Sequence, residues 1–567
     1  MNIGFYIIII FTLLFASFLA LVSMIQTVDM NLDNDWKENI EFSYHFPIGN
    51  LILMLFSLGL FFFLYRYCKK QSTFIYQYKE IILDKLPHVL AFFIFVLGIN
   101  WLYAAQTHPS HDSWYVMNAA QNFSRGDYSV LSLDTETYFH RYPFQLGYVL
   151  FTEIVIRSFR IIGEAENMLY LQCINVFMLA VAYFGLVNIT KITFKNNAVT
   201  LFTSLLLFFC FQPVMFSTFL YGNTPGFMFV ILSVYNALRF FEGYKIRHGA
   251  ISAFCIGMAV LVKYNNMIAL VALCIIILLN LLKEKLFKKN LRHALVSLGF
   301  FALSLAFGLG MSSFAVRQYG KRADVEMSKG APMSAWLLMG VSEAYIAPGW
   351  YNAHPIGAYE QFNRNTSAAI SVNMKEFKDR MGEFSQDLGY TANFFFRKFT
   401  SQWNESTYQS IWTNQVRSDQ ESKTGLAAYV CDDGEQSVKS FLNIYNIFIF
   451  TMFSAGLIFL IKYGKRKISF AFLPLIILGG FLFHTFFEAK SQYAIFYFVM
   501  MIPIAGYGLF NCVKLIEKML IEEEKYYLMV TPKYYLQIPE NKKYELQVLK
   551  KDFIQIIKEN KKEEASQ

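Results

Sequence analysis

The chain has 567 residues, of which 55% are hydrophobic, 18% aromatic and only 16% charged. A soluble chain of this length would divide into several domains with about a quarter of its residues charged. Here the apolar residues instead come in runs long enough to cross a bilayer as helices, which excludes a soluble protein and predicts a polytopic membrane protein.

Length and hydropathy predict an all-α chain with about twelve transmembrane helices. In chain order they fall near 4–28, 46–65, 87–105, 167–190, 198–220, 224–241, 248–263, 267–282, 293–316, 441–461, 468–487 and 492–512. The first run is too long for the apolar core of a signal peptide and no basic side chain precedes it, so it reads as a retained helix. Basic residues cluster after the second span (Arg66, Lys69, Lys70, Lys79, Lys85) and again at Lys283, Lys285, Lys288, Lys289 and Arg292. With twelve spans these and the other basic connections share one side, which the positive-inside rule makes cytoplasmic. The acidic connection 29–45 falls outside. The net charge of +9 is thus a topology signal, and no nucleic-acid partner is expected. The seven cysteines lie mostly within or near spans and show no spacing for structural zinc.

Two outside segments are long, 106–166 and 317–440. The chain therefore divides into two N-terminal spans with a cytoplasmic loop (1–85), a transmembrane core carrying the first outer loop (86–316), a large extracytoplasmic loop (317–440), three C-terminal spans (441–512) and a charged cytoplasmic tail (513–567). Within the first loop, apolar residues recur at helical spacing over 112–125, with Asp112 at the N-terminal end, and a second, apolar helix is predicted over about 143–160 from Pro143 onward. Both read as interfacial helices.

Asp112 has two open roles: a helix cap, which Asp fills routinely, or a general base at the membrane surface, crowded by His111, Trp114 and Tyr115. The stretch "HDSWYVMNAAQNFSRGDYSVL…YFHRYPFQLGYVLF" resembles the first outer loop of the GT-C superfamily of membrane glycosyltransferases, the class that contains protein O-mannosyltransferases and the aminoarabinose transferase of lipid A. Two later stretches, "PMSAWLLMGVSEAYIAPGWYN" (332–352) and "FFEAKSQYAIFYFVMMIP" (486–503), are similar to further segments of such enzymes, and the resemblance runs over most of 85–512. It implies a sugar donor built on polyprenyl phosphate, a glycan or lipid acceptor, and Asp112 as the base.

The chemistry agrees with that implication. A phosphate leaving group is a weak base and needs no acid catalyst, so one carboxylate and a few cations or amide donors suffice, unlike the two opposed carboxylates of glycoside hydrolysis. Candidate phosphate partners are Lys263, at the outer end of the seventh span, then Arg141 in "HRYP" and Lys490 in "EAKSQY". Lys263 is alternatively a snorkelling lysine, and Arg141 an anchor for the second interfacial helix. The resemblance calls for a basic residue directly before Tyr493, where this chain has Gln492, so Lys490 would have to act from two positions earlier. Glu488 either faces a cavity or pairs with Lys490. Tyr221 and Asn223, in "YGNTPG", form a turn that could line the donor site, and His111, Tyr142 and Tyr493 are further lining candidates. Trp336, Trp350 and Trp403 in the large loop are read as an acceptor platform, with a buried aromatic core as the plainer alternative. "DTE" at 134–136 resembles a metal-binding D-x-D only loosely, so no cofactor is expected.

The reading is an inverting glycosyltransferase of the plasma membrane with an extracytoplasmic active site, acting on cell-wall polysaccharide, teichoic acid or a lipid-linked glycan. A lipid-carrier flippase or transporter and a non-catalytic wall-assembly scaffold are the rivals. A transporter usually carries repeated halves and mid-span charges, and neither is evident here.

Overall fold

A computed structural model describes residues 3–32, 38–70, 72–133, 137–160, 168–283, 286–419, 422–463 and 468–530. The chain is all-α in class and enters through α1 (Ile3–Ile25), a 23-residue apolar helix. The 29–45 connection is a hairpin, β1 (Gln26–Leu32) and β2 (Glu38–Tyr44), antiparallel in register from Gln26↔Tyr44 to Leu32↔Glu38. Its physical basis is a short period-2 alternation that turns Val28, Met30 and Ile40 to one buried side. That side packs on Trp350 and Ala347 of the large loop.

Then follow α2 (Ile48–Lys70), α3 (Ser72–Ala105), α4 (Asp112–Ser124), α5 (Leu146–Arg160), α6 (Leu169–Phe194), α7 (Asn197–Phe208), α8 (Asn223–Gly243), α9 (Ile246–Val262), α10 (Met267–Lys283) and α11 (Leu291–Ala323). Among the described residues ten helices are long and apolar enough to cross a membrane. Two shorter apolar helices, α7 and α9, stand where the fifth and seventh of the twelve expected spans were placed. The fifth is cut short because the chain turns at Phe209–Phe211 before the short helix Gln212–Phe216. Helices α4 and α5 are not among the ten. They pack on one another, with Ala119 and Ala120 fully buried, so the small side chains let the helices approach closely.

The large loop folds into α12 (Met333–Val341), α13 (His354–Gln361), α14 (Thr366–Gln386), α15 (Leu388–Trp403) and α16 (Ser410–Arg417), and the chain closes with α17 (Glu435–Tyr463), α18 (Phe472–Phe486) and α19 (Ser491–Val530). Helix α9 packs between α8 and α11, while α17 packs against α1 and α19 and α10 lies between α11 and α18. The hairpin, the α4–α5 pair and the large loop gather at the ends of these helices that carry Asp112, Lys263 and Glu488. Of the expected tail, 531–567 lies outside the described residues.

Candidate active site

Helix α4 begins abruptly. His111, just before it, has φ 51° and ψ −132°, a conformation a side chain disfavours, and Ser113 Oγ holds the turn by accepting from Ser110 N (3.1 Å) and donating to Ser110 O (2.9 Å). The cap position is His111, without a side-chain hydrogen bond, and Asp112 is the first residue of the helix. Its Oδ2 accepts a hydrogen bond from the Tyr221 hydroxyl at 3.1 Å, and that hydroxyl accepts one from Gln145 Nε2 at 2.5 Å. Tyr138 lies against the same group, its phenol pushed up by burial first and by the Asp112 charge second.

Lys263 completes this arrangement from α9. Its Nζ stands 3.9 Å from the centre of the Tyr221 ring, a cation–π contact. Two glycines make the approach possible. Gly222 has φ +80°, and a Cβ there would meet Val262 O at 2.1 Å; a Cβ on Gly147 would meet Leu261 O at the same distance. The end of α9 is therefore pressed against the backbone of both neighbouring segments, and Lys263 emerges beside Tyr221. Burial lowers the Lys263 ammonium to about 7 against the opposing pull of Asp112 and Glu488.

The third wall is the turn between α18 and α19. Glu488 N donates to Trp336 O (3.1 Å), and the carboxylate accepts from Tyr493 OH (3.2 Å). Burial raises this carboxylate to about 7, with Lys490 acting against the shift. One cavity of about 970 Å³ joins these groups: Asp112, Tyr142, Gln145, Tyr221, Lys263, Trp336, Tyr351, Glu488 and Tyr493 all line it. Away from the charged end its walls are apolar, from Ile268, Val271 and Ile275 of α10, Val316 of α11, and Leu475, Leu478 and Leu482 of α18. Arg317 and Lys329 line it as well. A site with two carboxylates, Asp112 and Glu488, cations at Lys263, Arg317 and Lys329, and an apolar extension suits an amphiphile with an anionic head.

The remaining expected residues are placed as follows. Asn223 lines a small adjoining cavity with Lys263 and Tyr493. His111 is exposed beside Asp112 but is not a wall of the cavity. Arg141 is held by Glu360 at 2.9 Å, and Lys490 by Glu38 of β2 at 2.6 Å, so neither lysine nor arginine is free for a phosphate. Neither lines the cavity. Burial works to lower Lys490, and Glu38 outweighs it, leaving the ammonium above its usual range. Trp350 and Trp403 correct the acceptor-platform expectation. Trp350 is fully buried and donates to Ser401 Oγ (2.8 Å), while Trp403 is buried against Phe481 (4.3 Å between ring centres). Both belong to packed cores, and of the three tryptophans Trp336 alone lines the cavity. Among the described residues no group of His, Cys, Asp and Glu could hold a metal ion, and Asp134 and Glu136 lie outside them.

Sequence reasoning placed Tyr351 in the aromatic cluster of the large loop and missed Gln145, Tyr138 and Glu38 as neighbours of the site. Gln145 had a signal, an uncharged polar residue opening an apolar helix. Glu38 had none, because its acidity already served the topology argument.

Residues 151–307, from within α5 to the middle of α11, match the family model described as dolichyl-phosphate-mannose-protein mannosyltransferase. The matched stretch contains Tyr221, Asn223 and Lys263 but neither Asp112 nor Glu488. No curated protein is similar to the chain.

Proposed function

We propose that the chain is a GT-C-type membrane glycosyltransferase using a polyprenyl-phosphate sugar donor, a reading supported by the family match over residues 151–307, that it is an inverting enzyme whose cavity holds that donor, and that Asp112 is its base. The isoprenoid lies along the apolar wall of α10, α11 and α18, and the phosphate faces Lys263. An acceptor hydroxyl gives its proton to Asp112 while its oxygen attacks the anomeric carbon. The bond from that carbon to the phosphate oxygen breaks, the polyprenyl phosphate leaves with the electron pair, and the anomeric configuration inverts. Lys263, half-titrated near neutrality when no anion is bound, is driven to its charged form by the phosphate and stabilises the growing negative charge.

The acceptor is a hydroxyl of cell-wall polysaccharide, teichoic acid or lipid-linked glycan at the outer face of the plasma membrane. The basic connections on the opposite side of the predicted spans support that sidedness. Mannose is the sugar that the matched family's description suggests.

The observation that carries this reading is the shared cavity. Asp112 and Lys263 are two walls of one space, linked through Tyr221, with a lipid-compatible tunnel beyond. The test is turnover of polyprenyl-phosphate-mannose by the purified full chain. Asp112→Asn keeps the shape and removes the base, and is expected to lower kcat by about a hundred- to ten-thousand-fold. Near-normal transfer by that variant would remove Asp112 from the mechanism.

A further inference from the structure

The loop that presents Asp112 is clamped from behind by the end of the large loop. His108 N donates to Arg417 O (2.9 Å), Thr424 N to Ala104 O (2.9 Å) and Ser418 Oγ to Ala105 O (2.5 Å). Arg417 Nε donates to Ser110 Oγ at 3.1 Å. Four hydrogen bonds thus tie residues 104–110 to residues 417–424, which are over 300 positions away in the chain. The turn they hold is the one that strains His111.

The Arg417 guanidinium itself is unusual. The residue is 7% exposed, and the carboxylates that act on it, Asp112 and Glu38, do so through space without a hydrogen bond. Its Nη1 has no acceptor among them. A buried cation without a hydrogen-bonded acid is costly, by several kcal/mol in the general case, so its retention calls for a reason. The guanidinium lies 4.0 Å from the centre of the Phe219 ring. Phe219 stacks on Tyr221 at 5.3 Å and 29°, and Lys263 sits on Tyr221. Two cations therefore bracket a pair of stacked rings, and the inner ring carries the hydroxyl that donates to Asp112. Burial lowers Arg417 to about 10, with Asp112 and then Glu38 as the carboxylates that oppose the shift. It therefore stays charged at neutral pH, where Lys263 does not do so fully.

We propose that Arg417 is a positioning residue for Asp112: it fixes the strained turn through Ser110 and holds the Phe219–Tyr221 stack that orients the carboxylate. The inference rests on Asp112 being the base. The other groups acting on that carboxylate are the Tyr138 and Tyr221 hydroxyls, the ammoniums of Lys263 and Lys490, and the Glu488 carboxylate. Tyr142 and Tyr351, phenols raised by burial, also act on it, and Tyr493 lines the same cavity.

The experiment measures kcat and KM for polyprenyl-phosphate-mannose turnover by the full-length enzyme and by Arg417→Gln, Arg417→Lys and Ser110→Ala. A misplaced catalytic group costs on the order of a hundredfold. Arg417→Gln is expected to lower kcat by roughly ten- to a hundredfold, with donor KM within about twofold. Arg417→Lys keeps a cation on Phe219 and loses the fork, so its fall in kcat should be smaller, again with KM in place. Ser110→Ala should give a smaller fall in kcat than Arg417→Gln. If Arg417→Gln does not fold, the Lys and Ala variants carry the test. Wild-type kcat in these variants, or a loss that falls on KM instead, beside an inactive Asp112→Asn, would overturn the role of Arg417 and leave the base intact. An active Asp112→Asn would overturn the base instead.

Discussion

Lys263 and Lys490 invite a direct comparison. Both follow the end of an apolar helix, both stand near Glu488, and the sequence offers either as a phosphate partner. The fold treats them differently. Lys490 meets a dedicated carboxylate, Glu38, which is also held by Gln409 Nε2 at 2.7 Å, so its charge is consumed within the protein. Lys263 meets the face of Tyr221 and no carboxylate within ion-pair distance among the described residues, so its charge is left for something that enters the cavity. The hairpin that carries Glu38 is what separates the two. A cation near a membrane face becomes a ligand-binding group only when no acidic side chain reaches it, and that is decided by distant segments.

The largest difference should appear when each lysine loses its charge. Lys263→Met is expected to lower kcat/KM for polyprenyl-phosphate-mannose by about a hundredfold or more, the scale of losing one electrostatic contact to a developing anion. Lys490→Met should instead act on the folded state. It strands Glu38, whose side chain is 10% exposed, and should cost about 3 kcal/mol in stability while leaving the kcat/KM of the folded fraction within a few-fold. Equal kinetic losses in the two variants, read together with their thermal melts, would erase the distinction.

This contrast also marks how far the sequence could be read. The membrane class and ten of the twelve expected span positions were legible, because a bilayer demands long apolar runs. Asp112 and Lys263 stood out for the same reason, as charges beside such runs. Their surroundings did not. Arg141 and Lys490 ranked behind Lys263 in the sequence, but nothing there showed that Glu360 and Glu38 would reach them from 219 and 452 positions away. The hairpin was hidden because its alternation spans only a few residues and its acids had another explanation. Trp350 and Trp403 were misread because an aromatic cluster in a loop has the same composition whether it lines a site or fills a core.

A finer test of the same comparison uses pH. Burial leaves Lys263 near 7, below the ordinary lysine range, so the free enzyme carries this charge below about 7 and loses it above. Donor capture, read as kcat/KM, should therefore fall by up to about tenfold per unit of pH on the alkaline side. Lys490, raised by its Glu38 partner, should contribute no such limb near neutrality. The stability consequence has the opposite direction. The unfolded lysine stays protonated up to about 10.4, so the folded state bears the cost of a buried cation fully below 7 and is relieved of it as pH rises from 7 towards that value. Lys263→Arg, charged throughout, should flatten the alkaline limb. A wild-type profile that stays level to pH 9 would remove Lys263 from donor binding.

The smallest expected effect separates walls from core among the tryptophans. Trp336 borders the cavity, with its carbonyl fixing Glu488 N and its ring near Tyr142 and Phe144, 6.3 and 5.9 Å between centres. Trp350 is enclosed between the hairpin and the large loop, and its one polar atom is satisfied by Ser401. Replacing Trp350 by Phe removes that hydrogen bond and part of the ring, which should cost about 2 kcal/mol in stability. Turnover by the folded enzyme should stay within twofold. Trp336→Phe has the reverse expectation, with little change in melting and a several-fold rise in donor KM, because the ring is a wall and the main-chain carbonyl is untouched. If Trp350→Phe raised KM as Trp336→Phe does, the packed interface would be transmitting its shape to Glu488 through Ala489 N, which donates to Gly349 O at 2.8 Å. The division between core and cavity would then have to be redrawn at that strand of backbone.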